Sequence, residues 1–138
     1  MATVVLGYDN SAGSKAALAK AIDLAKTYGD RLVIGYGFAP SATVGEEFTE
    51  HQKALRELGE KHTAQALAKA ATEGVEADVE LVANSPSSAL IDLAERHDAR
   101  FIVVGSYGES PIKGAILGST PHKLLHLAET PVVVVPAA

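Results

Sequence analysis

FIVVGSYGESPIKGAILGSTPHKLLHLAETPVVVVP, Phe101 to Pro136, is the stretch that decides the fold. It opens on an apolar run, Phe101–Val104, and breaks at Gly105 and Gly108. Nine residues later Gly118-Ser119-Thr120-Pro121 starts a short amphipathic helix, and a second apolar run, Val132–Val135, closes the segment. Runs this short, apolar on successive residues, suit strands buried on both faces of a parallel sheet. Strand, glycine-rich loop, helix start and strand together make a phosphate-site architecture. Glycines let an anion approach the backbone, and the first N–H groups of a helix have no internal acceptor.

The rest of the chain repeats the alternation. Thr3–Tyr8 reads as a strand, and Asn10 or Ser11 can cap the helix that follows. That helix carries Leu18, Ala21, Ile22 and Ala25 on one stripe and stops at Gly29-Asp30. Arg31–Gly37 is a second strand. A loop with Pro40, Ser41 and Gly45 leads to a long helix from Glu46 to Glu73, expected to turn Phe48, Leu55, Leu58, His62, Ala66 and Ala70 inward. Ala77–Ala83 alternates and reads as an edge strand. Ser85 as cap and Pro86 in the first turn start a helix with Leu90, Leu93 and Ala94 inward. The order βαβαβαβαβ predicts an α/β parallel sheet with helices on both faces. Ligands of such sheets bind beyond the carboxyl ends of the strands. The loops of interest are therefore Gly7–Ser11, Gly37–Pro40 and Gly105–Thr120.

At 138 residues the chain is expected to form one domain, 1–138. Hydrophobic residues at 47% and charged residues at 21% fit a soluble globular protein. A net charge of -5 argues against a nucleic-acid partner, whose phosphates recruit Lys and Arg. The absence of cysteine removes disulfides, thiolate metal sites and a thiol nucleophile. The N-terminal MATVVLGYDNS reads as a strand and not a signal peptide, and no apolar stretch is long enough to span a membrane. The expected location is cytoplasmic.

Gly105-x-x-Gly108 followed by nine residues and Gly118-Ser119 is the sharpest motif. It is not a Walker loop, since no Gly-Lys-Ser/Thr occurs, and no G-x-G-x-x-G follows the first strand. The pattern is that of the universal stress proteins, whose nucleotide signature is G-x-x-G-x9-G-Ser/Thr. Asp9 at the end of the first strand, IVVGS in the fourth and the closing TPVVVVP match as well. The resemblance covers the whole chain. It implies strand order 3-2-1-4-5, an adenine nucleotide alpha hydrolase-like fold, and the ATP-binding branch of that family. Carried over by position, it implies that Gly7, Tyr8 and Asp9 lie beside the adenosine and Gly37 borders the base. Val104 and Gly105 would pass under the ribose, and Gly108, Gly118, Ser119 and Thr120 would hold the phosphates. Two positions depart from the pattern. Tyr107 stands where relatives often carry Arg or His, and Pro121 supplies no N–H in the first helical turn.

The expected function is a stress-response or regulatory module that binds ATP, or AMP or ADP, with Mg²⁺ or Mn²⁺ on the phosphates. Turnover is expected to be slight or absent. The alternative is a slow ATP-hydrolysing or nucleotidyl-transferring enzyme using the same pocket. No G-x-S-x-G elbow is present, and a receiver-like reading fails for want of its acidic cluster. Asp9 also suits a plain helix-start turn. His122 and His126, at i and i+4, share a helix face that permits a metal, without a third ligand nearby in sequence. Lys113 and Lys123 are expected in solvent, within reach of a terminal phosphate. The apolar strand Val132–Val135 at the chain end is a free edge that invites pairing, and the resemblance implies a homodimer through it.

Overall fold

The computed structural model describes residues 1–38, 46–106 and 117–137. Nine elements follow in order: β1 (Thr3–Gly7), α1 (Ala12–Tyr28), β2 (Arg31–Gly37), α2 (Glu46–Thr72), β3 (Ala77–Val82), α3 (Pro86–His97), β4 (Phe101–Gly105), α4 (Ser119–Leu127) and β5 (Val132–Val135). The strands form one parallel sheet in the order β3-β2-β1-β4-β5, as the resemblance implied.

Alternation along the central strands feeds two cores. Val4, Leu6, Leu32, Ile34 and Val103 meet Ala17, Ala21 and Ile22 of α1 and Ala66 and Ala70 of α2 on one face. Val5, Val33, Ile102 and Val104 meet Leu90, Leu93 and Ala94 of α3 and Leu124 of α4 on the other. Removal of this apolar surface from water is the main favourable term of folding. Helix ends follow the local chemistry. Ser11 caps α1, its Oγ accepting from Ser14 N–H at 3.2 Å, and Gly29 ends that helix in the left-handed region at φ 68°.

Two expectations are corrected. Leu58 is not inward but 44% exposed, and the buried stripe of α2 runs through Gly59, Thr63, Ala66 and Ala70. The reason is close approach: a Cβ on Gly59 would lie 2.7 Å from the Tyr36 ring, so α2 rides on its glycine. Thr63 is buried because its hydroxyl donates back to the Gly59 carbonyl at 2.7 Å. Ser85 stands at the cap position of α3 but makes no side-chain cap bond; its Oγ pairs with Ser88 Oγ at 3.1 Å instead. The side chain of Phe48 lies outside the described residues.

Candidate functional site

The central strands β1 and β4 are neighbours, but α1, which follows β1, and α4, which follows β4, pack on opposite faces of the sheet. The chain therefore departs in opposite directions from the carboxyl ends of these two strands, which opens a crevice between them. A cavity of about 290 Å³ occupies that crevice. Its wall takes in Gly7, Tyr8 and Asp9 from the end of β1 and Gly37 from the end of β2. Val104 and Gly105 of β4, and Gly118, Ser119 and Thr120 at the start of α4, complete the set. Nine of the ten residues singled out from the sequence thus line one space. The tenth, Gly108, lies outside the described residues, as do Tyr107 and Lys113.

Glycine clears much of this wall for reasons internal to the fold. A Cβ on Gly105 would fall 2.6 Å from the carbonyl carbon of Gly13, so β4 ends in backbone contact with α1. A Cβ on Gly7 would strike Leu90 Cδ1 at 2.7 Å, and one on Gly37 would strike Pro86 Cα at 2.8 Å. These glycines let α1 and α3 close on the strand ends.

Polar groups are arranged around this frame. Asp9 Oδ1 accepts from Ser11 N–H at 3.0 Å, which fixes the turn into α1 and leaves its second oxygen without a partner among the described residues. Asn10 takes the left-handed conformation at φ 67°, common for Asn in tight turns. Its Oδ1 accepts from the Tyr8 hydroxyl at 3.2 Å. Burial, and then the charge of Asp9, raise the Tyr8 phenol above its ordinary pKa, so it stays a neutral donor at physiological pH.

Two of the helices that begin at the cavity, α1 and α4, differ at their starts. α1 is capped by a serine hydroxyl, whereas α4 starts on Gly118, which has no side chain to cap with. The N–H groups of Ser119 and Thr120 consequently have no intrahelical acceptor, and the positive end of the helix dipole lies at the cavity wall. Gly118 itself departs from the expected role. Its N–H donates to Ser106 O at 2.7 Å, so that donor is already spent. Its φ of -61° is open to any residue, so no special backbone conformation demands glycine there. The donors left for an anion are those of Ser119 and Thr120; Pro121 has none. This donor set fits a phosphate, and a volume near the ~300 Å³ floor of ordinary ligand pockets fits a nucleotide-sized guest.

Sequence reading missed part of the wall. Ser11 and Ser14 line the cavity as well as starting α1, and Gly35, Tyr36, Pro86 and Leu90 close the β2 side. Pro86 and Leu90 come from the first turns of α3, which strand-end reasoning did not weigh. The signal available was the inward position of Leu90 on the helix that packs behind the switch point. His122 and His126 sit on α4 facing solvent, outside the cavity. No helix among the described residues is long and apolar enough to cross a membrane.

Comparison with known proteins agrees with the geometry. The model of the Universal stress protein family matches residues 1–136. A universal stress protein of Thermus aquaticus, from the QAH/OAS sulfhydrylase 3' region, is 33% identical over 135 residues, which is 96% of this chain and 97% of that one. The solved structure of the protein MJ0577 superposes with a TM-score of 0.91 at 19% identity, covering 99% of this chain and 96% of the other. A universal stress protein crystallised in complex with cAMP gives a TM-score of 0.76 at 25% identity, covering 99% and 98%. With the family model spanning nearly every residue and a relative 33% identical over almost the whole of both chains, this chain belongs to the universal stress protein family.

Proposed function

We propose that this chain binds an adenine nucleotide, ATP included, in the crevice between β1 and β4, and that it serves as a stress-response or regulatory module with little or no turnover. The observation that carries the reading is the uncapped start of α4 at the cavity wall, with two backbone donors and no side chain to satisfy them. The relative crystallised with cAMP supports adenine as the base. In this reading Gly35, Gly37, Pro86 and Leu90 border the base. Gly7, Tyr8, Asp9, Val104 and Gly105 flank the ribose. Ser119 and Thr120 hold phosphate, with Gly118 and Gly108 leaving room for it. The unpartnered oxygen of Asp9, with the phosphates, offers the hard oxygen ligands that Mg²⁺ or Mn²⁺ prefers. Little turnover is proposed because Asp9 is the one carboxylate among the described lining residues, and half of it is committed to the Ser11 turn. A cytoplasmic location and a homodimer through Val132–Val135 belong to the same proposal.

The test is calorimetric titration with ATP, AMP and cAMP, alongside Gly118→Val and Ser119→Ala. Gly118→Val keeps its far-ultraviolet circular dichroism, because φ -61° suits valine, and loses nucleotide binding. Ser119→Ala keeps the backbone donor and loses only a hydroxyl, weakening binding several-fold, or about 1 kcal/mol. A folded Gly118→Val that binds like the parent overturns the site. Rapid, saturable phosphate release that disappears with pocket mutations overturns the reading as a binder.

A further inference from the structure

The exposed face of α4 carries a feature that the nucleotide reading does not use. His122 and His126 stand one turn apart, both in solvent, with ring centroids 4.8 Å apart and planes at 66°. Among the described residues neither imidazole has a hydrogen-bond or ion-pair partner, and the two rings meet each other edge to face. The helix beneath them is held firmly. Pro121 and Leu124 are buried on its inner face, and Ala128 N–H closes its last turn on Leu124 O at 2.9 Å.

We propose that His122 and His126 form a two-imidazole site for a divalent transition metal of the Cu²⁺, Ni²⁺ and Zn²⁺ class. Side chains at i and i+4 project from the same helix face, and here the rings already stand within reach of a common ion. Imidazole nitrogen selects these borderline ions over Mg²⁺ and Ca²⁺, which want oxygen. No set of three or more His, Cys, Asp or Glu that could hold a metal occurs among the described residues, so water fills the remaining positions and the site is open. Loading bridges one turn of α4, whose first turn carries Ser119 and Thr120 at the cavity. The ion is distinct from any that accompanies a nucleotide, and the site does not depend on nucleotide binding.

The experiment uses the full chain without an affinity tag. Zn²⁺ is added while the imidazole proton signals of the five histidines are followed by nuclear magnetic resonance, and Ni²⁺ affinity is measured by calorimetry. Two signals, assigned by their loss in His122→Gln and His126→Gln, shift together at one equivalent, while that of His51 stays. Either substitution lowers Ni²⁺ affinity at least ~10-fold, the lower end of what losing even an outer-shell partner of a metal brings. A double change, His126→Gln with Leu127→His, keeps the histidine count but moves the second ring off the shared face, and does not restore binding. All three variants alter exposed positions, so the fold serves as control by circular dichroism. Shifts confined to other histidines, no shift at millimolar Zn²⁺, or full binding by the double variant would each overturn the site.

Discussion

At the scale of single residues, glycine does two separate jobs around the crevice, and the structure tells them apart. Gly105 is the first glycine of the G-x-x-G-x9-G-Ser spacing, yet its missing Cβ is also required by the backbone of Gly13, 2.6 Å from where that atom would sit. A backbone neighbour cannot rotate away. Gly105→Ala is therefore expected to destabilise the fold by about 1–3 kcal/mol, the usual cost of overpacking. Gly35→Ala is the control: its new methyl would meet the Leu93 Cδ1 side-chain atom at 2.6 Å, and that side chain has other rotamers. Denaturant midpoints for the two variants check this, and equal losses would refute the distinction. Gly118 is the opposite case. Spacing marked the position, but sequence could not show that its N–H is spent on Ser106, because that bond joins two residues across the glycine loop.

At the scale of elements, the alternation of strands and helices was legible throughout, since apolar runs and helix-stop glycines are local signals. Which stripe of a helix faces inward was less so. On α2, hydrophobicity pointed to Leu58, but contact with Tyr36 selects the smallest residue, Gly59, and rotates the helix accordingly. Ion pairing between elements was not legible either. Glu80 on β3 receives hydrogen bonds from His97 and Arg96 at the end of α3, and Arg31 of β2 reaches His97 Nδ1 at 3.3 Å. Burial alone would raise the Glu80 carboxyl, but the bonds from His97 and Arg96 outweigh it and hold its pKa below the ordinary value. A carboxylate with a depressed folded pKa stabilises above its unfolded pKa, and that contribution is lost as pH falls through the folded value. Glu80→Gln should accordingly be less stable than the parent at neutral pH, with the gap closing on acidification below the ordinary glutamate range. Thermal melts across pH 3 to 7 measure it (roughly the span from below to above ordinary carboxylate pKa values). A gap independent of pH would show that the charge of Glu80 does not matter to the fold.

At the scale of the whole molecule, the sheet has two open edges, and β5 is the more apolar of them. Its parallel pairing with β4 is framed by Ile102 N–H to Pro131 O and Ser106 N–H to Val135 O, both at 2.9 Å. In a parallel ladder alternate residues bond to the same neighbour, so positions 131, 133 and 135 serve β4. Val132 and Val134 then turn their backbone polar groups to the open edge. An edge of this kind pairs readily with another strand, and a second copy of the chain offers an identical one. Light scattering at micromolar concentration is expected to show a dimer. Val134→Pro, which removes an outward donor and spares the β4 ladder, is expected to give a folded monomer. A monomeric parent would refute the interface.

The bond between Gly118 N–H and Ser106 O has a further meaning for how such a chain can diversify. Together with Ser106 N–H on Val135 O, it ties both ends of residues 107–117 to the same corner of the sheet. Both bonds are made by main-chain atoms, so they ask nothing of the side chains of Ser106 and Gly118. Lengthening the chain between two joined ends is cheap, about 0.6 kcal/mol per doubling, because the closure entropy grows only with the logarithm of length. The frame held at Ser106 and Gly118 is therefore compatible with different lengths of chain between them. Such a chain can change there while the strands, caps and cores keep the same instructions.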